Sequence, residues 1–130
     1  MTRGIPSHTE NPVSLILVED EPYLRHRWHQ ELENEGYVVA CLSTGIEALD
    51  ALRNSSVALA ILDIKLPGMN GLEVLAQLRQ EHIHTPVILY TAHPHYREDP
   101  RCRHADGFVT KSSDITELKR VVKALLKENQ

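Results

Sequence analysis

The chain has little from which to build a cross-linked or aromatic core. Its 130 residues include two cysteines, one tryptophan, one phenylalanine and four tyrosines. Cys41 and Cys102 form neither a short-range pair nor a metal-ligand spacing, which argues against a secreted disulfide framework and fits a reducing, cytoplasmic setting. With rings so scarce, the core must be aliphatic. No apolar run approaches the roughly 20 residues of a membrane span, and no signal-type hydrophobic region follows the N-terminus. Nor is there a basic block: 14 Lys and Arg against 18 Asp and Glu give a net charge of −4 with His neutral, which argues against a general nucleic-acid surface.

What is present is an alternation of short apolar runs and amphipathic stretches. The length suits one compact domain, large enough to fold without a disulfide or structural metal. Residues 1–13 are polar, contain Pro6 and Pro12, and are expected to be a loose leader to a domain over 14–130. Leu15 to Val18 reads as a first strand, running into Glu19, Asp20 and Glu21. Pro22 suits a first helical turn, and Leu24, Trp28 and Leu32 share a helical face until Gly36. A second strand is expected over Tyr37–Cys41. Thr44 and Glu47 form a capping box for a helix with apolar positions Ile46, Leu49 and Leu52.

Val57 to Leu62, six apolar residues ending at Asp63, predicts a strand buried on both faces. Pro67 and Gly68 mark a turn, and a helix follows from Gly71 to Gln80 through Leu72, Leu75 and Leu78. Further strands are expected over Val87–Tyr90, introduced by Pro86, and Gly107–Thr110. A last helix starts near Ser113 or Asp114, with Asp114 and Glu117 as its cap pattern, and buries Leu118, Val121, Val122, Leu125 and Leu126. Repeated strand–helix units imply a parallel sheet with right-handed crossovers and helices on both faces. One segment breaks the rhythm. Between Thr91 and Gly107 there is no apolar stripe, and Pro100 stands where a helix middle should be. Irregular turns are expected there, with the backbone mobile or held by a partner. The spacing of His93, His95, Cys102 and His104 in that segment matches no compact zinc pattern.

Four strands end in polar residues: Glu19 with Asp20, Asp63, Thr91 and Lys111. In a parallel sheet these ends share one edge, where ligands of open α/β folds bind. Crowded carboxylates repel unless a cation sits among them, and their oxygens suit a hard divalent ion such as Mg²⁺. Lys111 adds a positive charge and Thr91 a hydroxyl, the parts needed to hold a phosphoryl group while a carboxylate attacks in line. Each residue also has a plainer reading. Glu19 or Asp20 can cap the first helix, Asp63 can terminate a strand, Thr91 can be a β-branched strand end, and Lys111 can be the salt-bridge partner of Asp63.

The stretches LeuIleLeuValGluAspGlu, LeuAspIleLysLeuProGlyMetAsnGly, ValIleLeuTyrThrAla and AspGlyPheValThrLys, in this order and spacing, resemble the receiver domain of bacterial two-component response regulators over about Ser14 to Lys127. The resemblance implies a flavodoxin-like three-layer sandwich with a five-stranded parallel sheet of order 2-1-3-4-5, here with an irregular or shortened fourth helix. It implies Asp63 as phosphoacceptor, and Mg²⁺ held by Glu19, Asp20, Asp63 and the backbone carbonyl of Lys65. Lys111 becomes the phosphate-pairing lysine, and Thr91 and Phe108 the switch residues. The implied partners are a sensor histidine kinase or histidine phosphotransfer protein, a downstream protein or fused output domain, and a second copy in a homodimer. Such a domain is no conventional enzyme, but catalyses its own aspartyl phosphorylation and dephosphorylation, also as part of hybrid histidine kinases.

Four departures stand out. Glu19 replaces the commoner aspartate, and Phe108 lacks the hydroxyl of a tyrosine. Ser112 replaces a proline that often follows a cis bond; before a non-proline a cis bond costs about 2.5–4 kcal/mol, so the Lys111 loop is expected trans and shifted. The fourth is the irregular segment after Thr91. Two rival readings are a pseudo-receiver that binds proteins without being phosphorylated, and a small hydrolase with an aspartyl nucleophile. The latter would need a substrate-enclosing cap for which this chain has no room.

Overall fold

The computed structural model describes residues 12–112 and 114–128. Five strands, β1 (Ser14–Val18), β2 (Val38–Leu42), β3 (Leu59–Asp63), β4 (Val87–Thr91) and β5 (Gly107–Thr110), form one sheet of order β2-β1-β3-β4-β5. Every neighbouring pair is parallel. The helices are α1 (Pro22–Asn34), α2 (Gly45–Asn54), α3 (Gly71–Gln80) and α4 (Thr116–Glu128). This is the expected flavodoxin-like three-layer sandwich.

Alternation along the strands sends side chains to two separate cores. Ile16, Val18, Ala60, Leu62, Val87 and Leu89 face Ala48, Leu49, Leu52, Leu72, Leu75 and Leu78 of α2 and α3. Leu15, Leu17, Leu59, Ile61, Ile88 and Val109 face Trp28 and Leu32 of α1 and Leu118 and Val122 of α4. The central strands β3 and β4 are buried at all five positions, as uninterrupted apolar runs require. Among the described residues no helix is long and apolar enough to cross a membrane.

Several local expectations need correction. Strand β2 lies one residue later than expected, and β3 begins at Leu59 and includes Asp63. Ile46 is 66% exposed, because the buried stripe of α2 is centred on Gly45, Ala48, Leu49 and Leu52 and Ile46 falls outside it, on the flank of the helix. Neither Glu19 nor Asp20 caps α1. Glu21 does, its carboxylate accepting from the Tyr23 and Leu24 backbone N–H groups. The Thr44–Glu47 capping box forms in both directions. α4 starts at Thr116, its backbone N–H bonded to the Asp114 carboxylate at 2.9 Å. Ser113 and the leader before Pro12 lie outside the described residues.

The segment after Thr91 folds as two five-residue 3₁₀ helices, Pro94–Glu98 and Pro100–His104, each opened by its proline. Its anchors are not a helical stripe but three separate residues, Tyr96, Cys102 and Ala105, packed against the α2/α3 core. Arg79 of α3 clips its end, donating to the His104 carbonyl at 3.1 Å and the Asp106 carboxylate at 3.2 Å. The segment is thus seated by the chain itself.

Candidate functional site

The carboxyl edge of the sheet gathers the polar strand ends as the parallel topology demands. Glu19, Asp20, Asp63, Lys65, Thr91, His93 and Lys111 line one cavity of about 350 Å³. Burial inside it is deep: Glu19 is 1% exposed, Asp63 3% and Thr91 1%. Asp20 is exposed at the rim.

Lys111 Nζ stands 2.8 Å from Asp63 Oδ2 and 2.8 Å from Glu19 Oε1. The contact with Asp63 is an aligned hydrogen bond, whereas Glu19 Oε1 remains buried without one. The other oxygens are held by backbone. Asp63 Oδ1 accepts from Lys65 N–H at 3.3 Å, and Glu19 Oε2 from Glu21 N–H at 3.1 Å. Thr91 Oγ1 accepts from His93 N–H at 3.1 Å, which leaves the hydroxyl proton to donate. The backbone of Lys111 is anchored by its N–H to the Thr91 carbonyl at 2.7 Å, and its peptide to Ser112 is trans.

Burial pushes the Asp63 carboxyl above its ordinary value, against the opposing pull of the Lys111 hydrogen bond and charge. The same cause raises Glu19, opposed by Lys111 and by the backbone bond from Glu21. At Lys111 burial pulls downward, but the hydrogen bond to Asp63 and the ion pair with Glu19 outweigh it, so the ammonium is held more firmly than usual. The site is therefore short of positive charge. Glu19, Asp20 and Asp63 can each place one oxygen within 4.8 Å of the others, and theirs is the one group of metal-capable side chains among the described residues. A buried carboxylate oxygen held only by the Lys111 ion pair, inside an all-oxygen donor set, fits Mg²⁺ well.

Residues 15–123 match the family described as the response regulator receiver domain. The chain belongs to that family. The receiver domain is 39% identical over 117 residues to the uncharacterized transcriptional regulatory protein YkoG of Bacillus subtilis, covering 88% of this chain and 51% of that protein. It is 35% identical to the transcriptional regulatory protein TctD of Salmonella typhimurium, covering 88% of this chain and 52% of TctD. The chain thus spans about half the length of these relatives. Among solved structures, the response regulator TrrA of Thermotoga maritima in complex with Mg²⁺-BeF aligns with a TM-score of 0.84 at 40% identity, covering 87% of this chain and 98% of TrrA. TrrA bound to the histidine kinase ThkA aligns with a TM-score of 0.82, also at 40% identity, over 88% of this chain and 98% of that one.

Other residues also shape the receiver's site, and of these Arg25 carries no obvious signal in the sequence. Arg25 of α1 donates to the Glu19 carbonyl at 2.9 Å and the Asp20 carbonyl at 3.3 Å, fixing the acidic turn from outside. Asn70 caps α3 with Glu73 in a second capping box, a signal that the Asn-x-x-Glu spacing does contain. Gly71 is required by contact: a Cβ there would lie 2.1 Å from the Asp63 carbonyl oxygen. Phe108, on β5, is half-buried and outside the cavity, with the Arg97 guanidinium 4.4 Å from its ring centroid.

Proposed function

We propose that this receiver domain takes a phosphoryl group onto Asp63 from a histidine kinase or histidine phosphotransfer protein, in a Mg²⁺-dependent reaction, and relays the change to a partner-binding surface. The observation that carries this reading is the buried Asp63 carboxylate, joined to Lys111 on one side and grouped with Glu19 and Asp20 on the other. The Mg²⁺-BeF complex of TrrA and its complex with ThkA support it by analogy.

An Asp63 oxygen attacks the phosphorus of a phosphohistidine; the O–P bond forms as the N–P bond breaks, and the electron pair returns to the imidazole. Lys111, freed from part of its hold on Asp63, pairs with an oxygen of the transferred group, and the Thr91 hydroxyl donates to another. Asp20, Asp63, Glu19 and the Lys65 carbonyl would hold Mg²⁺, which when bound neutralises the crowded carboxylates and the phosphoryl oxygens. Thr91 and Phe108 then adopt different positions with and without the phosphoryl group. Arg97 on the Phe108 ring ties that movement to the first 3₁₀ helix. The homodimer, the downstream or fused output partner and the cytoplasmic setting belong to the same reading.

Incubation with acetyl phosphate or beryllofluoride and Mg²⁺ tests it. The wild type should gain one alkali- and hydroxylamine-labile phosphoryl group from acetyl phosphate, and Asp63→Ala should gain none. A wild type that stays unlabelled would favour the phosphorylation-independent interaction module instead.

A further inference from the structure

One buried aromatic beside the site has no part in the chemistry above. Tyr90 stands opposite Asp63 in the β3–β4 register and opposite Val109 in the β4–β5 register, so its side chain leaves the sheet on the same face as both. It is 2% exposed. Lys111 Nζ lies over its ring, 5.0 Å from the centroid. The ring is itself braced edge-to-face by Trp28 of α1, with centroids 6.4 Å apart and planes at 79°. The Arg27 guanidinium covers the Trp28 ring at 5.0 Å. The result is a stack of cation, ring, ring and cation that runs from α1 through the core to the ammonium at the site.

We propose that Tyr90 is a positioning residue for Lys111, its ring face holding the ammonium at the phosphoryl site while Asp63 and Glu19 turn to a bound dication. This rests on Asp63 being the phosphoacceptor. In the structure Lys111 shares both carboxylates at 2.8 Å each. A dication held by those carboxylates would repel the ammonium and compete with it for their oxygens. A ring face attracts a cation through its quadrupole without using any carboxylate oxygen, and does so more strongly where water is excluded. The phenol oxygen is not what holds the lysine. Tyr90 Oη is buried and makes no hydrogen bond to Lys111; the polar group that faces it is Trp28 Nε1. Burial first, then the charges of Glu19 and Asp63, push the phenol far above its ordinary value and keep it neutral. The ring alone is therefore sufficient, and phenylalanine should replace it.

The test compares acetyl phosphate labelling rates at saturating Mg²⁺ for the wild type, Tyr90→Phe, Tyr90→Leu and Tyr90→Met. Tyr90→Phe should label at close to the wild-type rate, and the ringless variants about five- to thirty-fold more slowly. In a Lys111→Ala background, Tyr90→Leu should cost nothing further. A Tyr90→Leu loss that persists without Lys111, or a Tyr90→Phe loss equal to that of Tyr90→Leu, overturns the proposal. A second readout needs neither activity nor a variant. The Lys111 ε-methylene protons of the wild type should resonate upfield of exposed lysines, through the Tyr90 ring current, both with Mg²⁺ alone and with Mg²⁺ and beryllofluoride. An unshifted resonance in the Mg²⁺-loaded protein refutes the positioning role even if every variant unfolds. An upfield resonance in a wild type that takes no phosphoryl group would instead place the failure with the phosphoacceptor reading.

Discussion

Replacing Lys111 with methionine keeps most of the side-chain volume and removes the charge that Asp63 and Glu19 share. Breaking a buried ion pair by removing one partner costs about 3–5 kcal/mol, because the remaining charge is stranded. Here the acidic partners' side chains are 4% and 1% exposed while that of Lys111 is 15% exposed, so water reaches the gap. That limits the expected loss to about 2–4 kcal/mol at pH 7 in the presence of chelator. For a domain of this size it lowers the thermal midpoint by roughly 8–16 °C. The pH dependence has a definite sign. The folded-state carboxyls are already raised, and removing the ammonium raises them further. Stability carried by a raised carboxyl is fully present below its unfolded value and lost as pH rises through its folded value. The deficit of Lys111→Met should therefore vanish at pH values acid to the ordinary carboxyl range and be full at neutrality. Saturating Mg²⁺ should restore more stability to the variant than it adds to the wild type, since the dication occupies the stranded charges. Thermal unfolding followed by circular dichroism, with and without Mg²⁺, at several pH values reads all three effects. A variant as stable as wild type in chelator at pH 7, or a deficit independent of pH, would refute the charge-deficit description of this site.

Two more outcomes follow from the same geometry. Asp63→Asn removes a charge that burial disfavours, so in chelator at pH 7 its unfolding midpoint should lie above the wild type's, with the difference shrinking as pH falls through the carboxyl range; a lower midpoint at neutral pH would contradict the raised Asp63. Gly71→Ala should destabilise by about 3 kcal/mol, the upper end for overpacking, because the new Cβ meets the Asp63 carbonyl at 2.1 Å; an unchanged denaturation midpoint would mean that the α3 start and the β3 end separate readily.

The sheet and its active edge were legible because both depend on short-range patterns. Apolar runs that fill β3 and β4, and a polar residue where each ends, need no knowledge of distant contacts. The parallel arrangement then brings Glu19, Asp63, Thr91 and Lys111 together whatever the details of the helices. Legibility failed where a residue's role is set by what it meets in space. Ile46 reads as apolar, yet it falls on the flank of α2, outside the buried stripe. The 94–105 segment lacks a stripe because three scattered residues, Tyr96, Cys102 and Ala105, do its anchoring. Glu21 takes the cap for which Glu19 or Asp20 is the candidate in the sequence, which leaves Glu19 to Lys111. Tyr90 reads as one more apolar strand residue, and only the sheet register puts its ring under the lysine.

On the proposed reading the carboxylate of Asp63 is the phosphoryl acceptor. Mapping the labelled residue tests it most directly: after reaction with acetyl phosphate and Mg²⁺, borohydride reduction converts an aspartyl phosphate to homoserine, which peptide mass spectrometry locates. Homoserine is expected at position 63 in the wild type, and none when Mg²⁺ is chelated. Homoserine at Asp20, or a phosphoryl group that survives reduction on a serine or threonine, would contradict it.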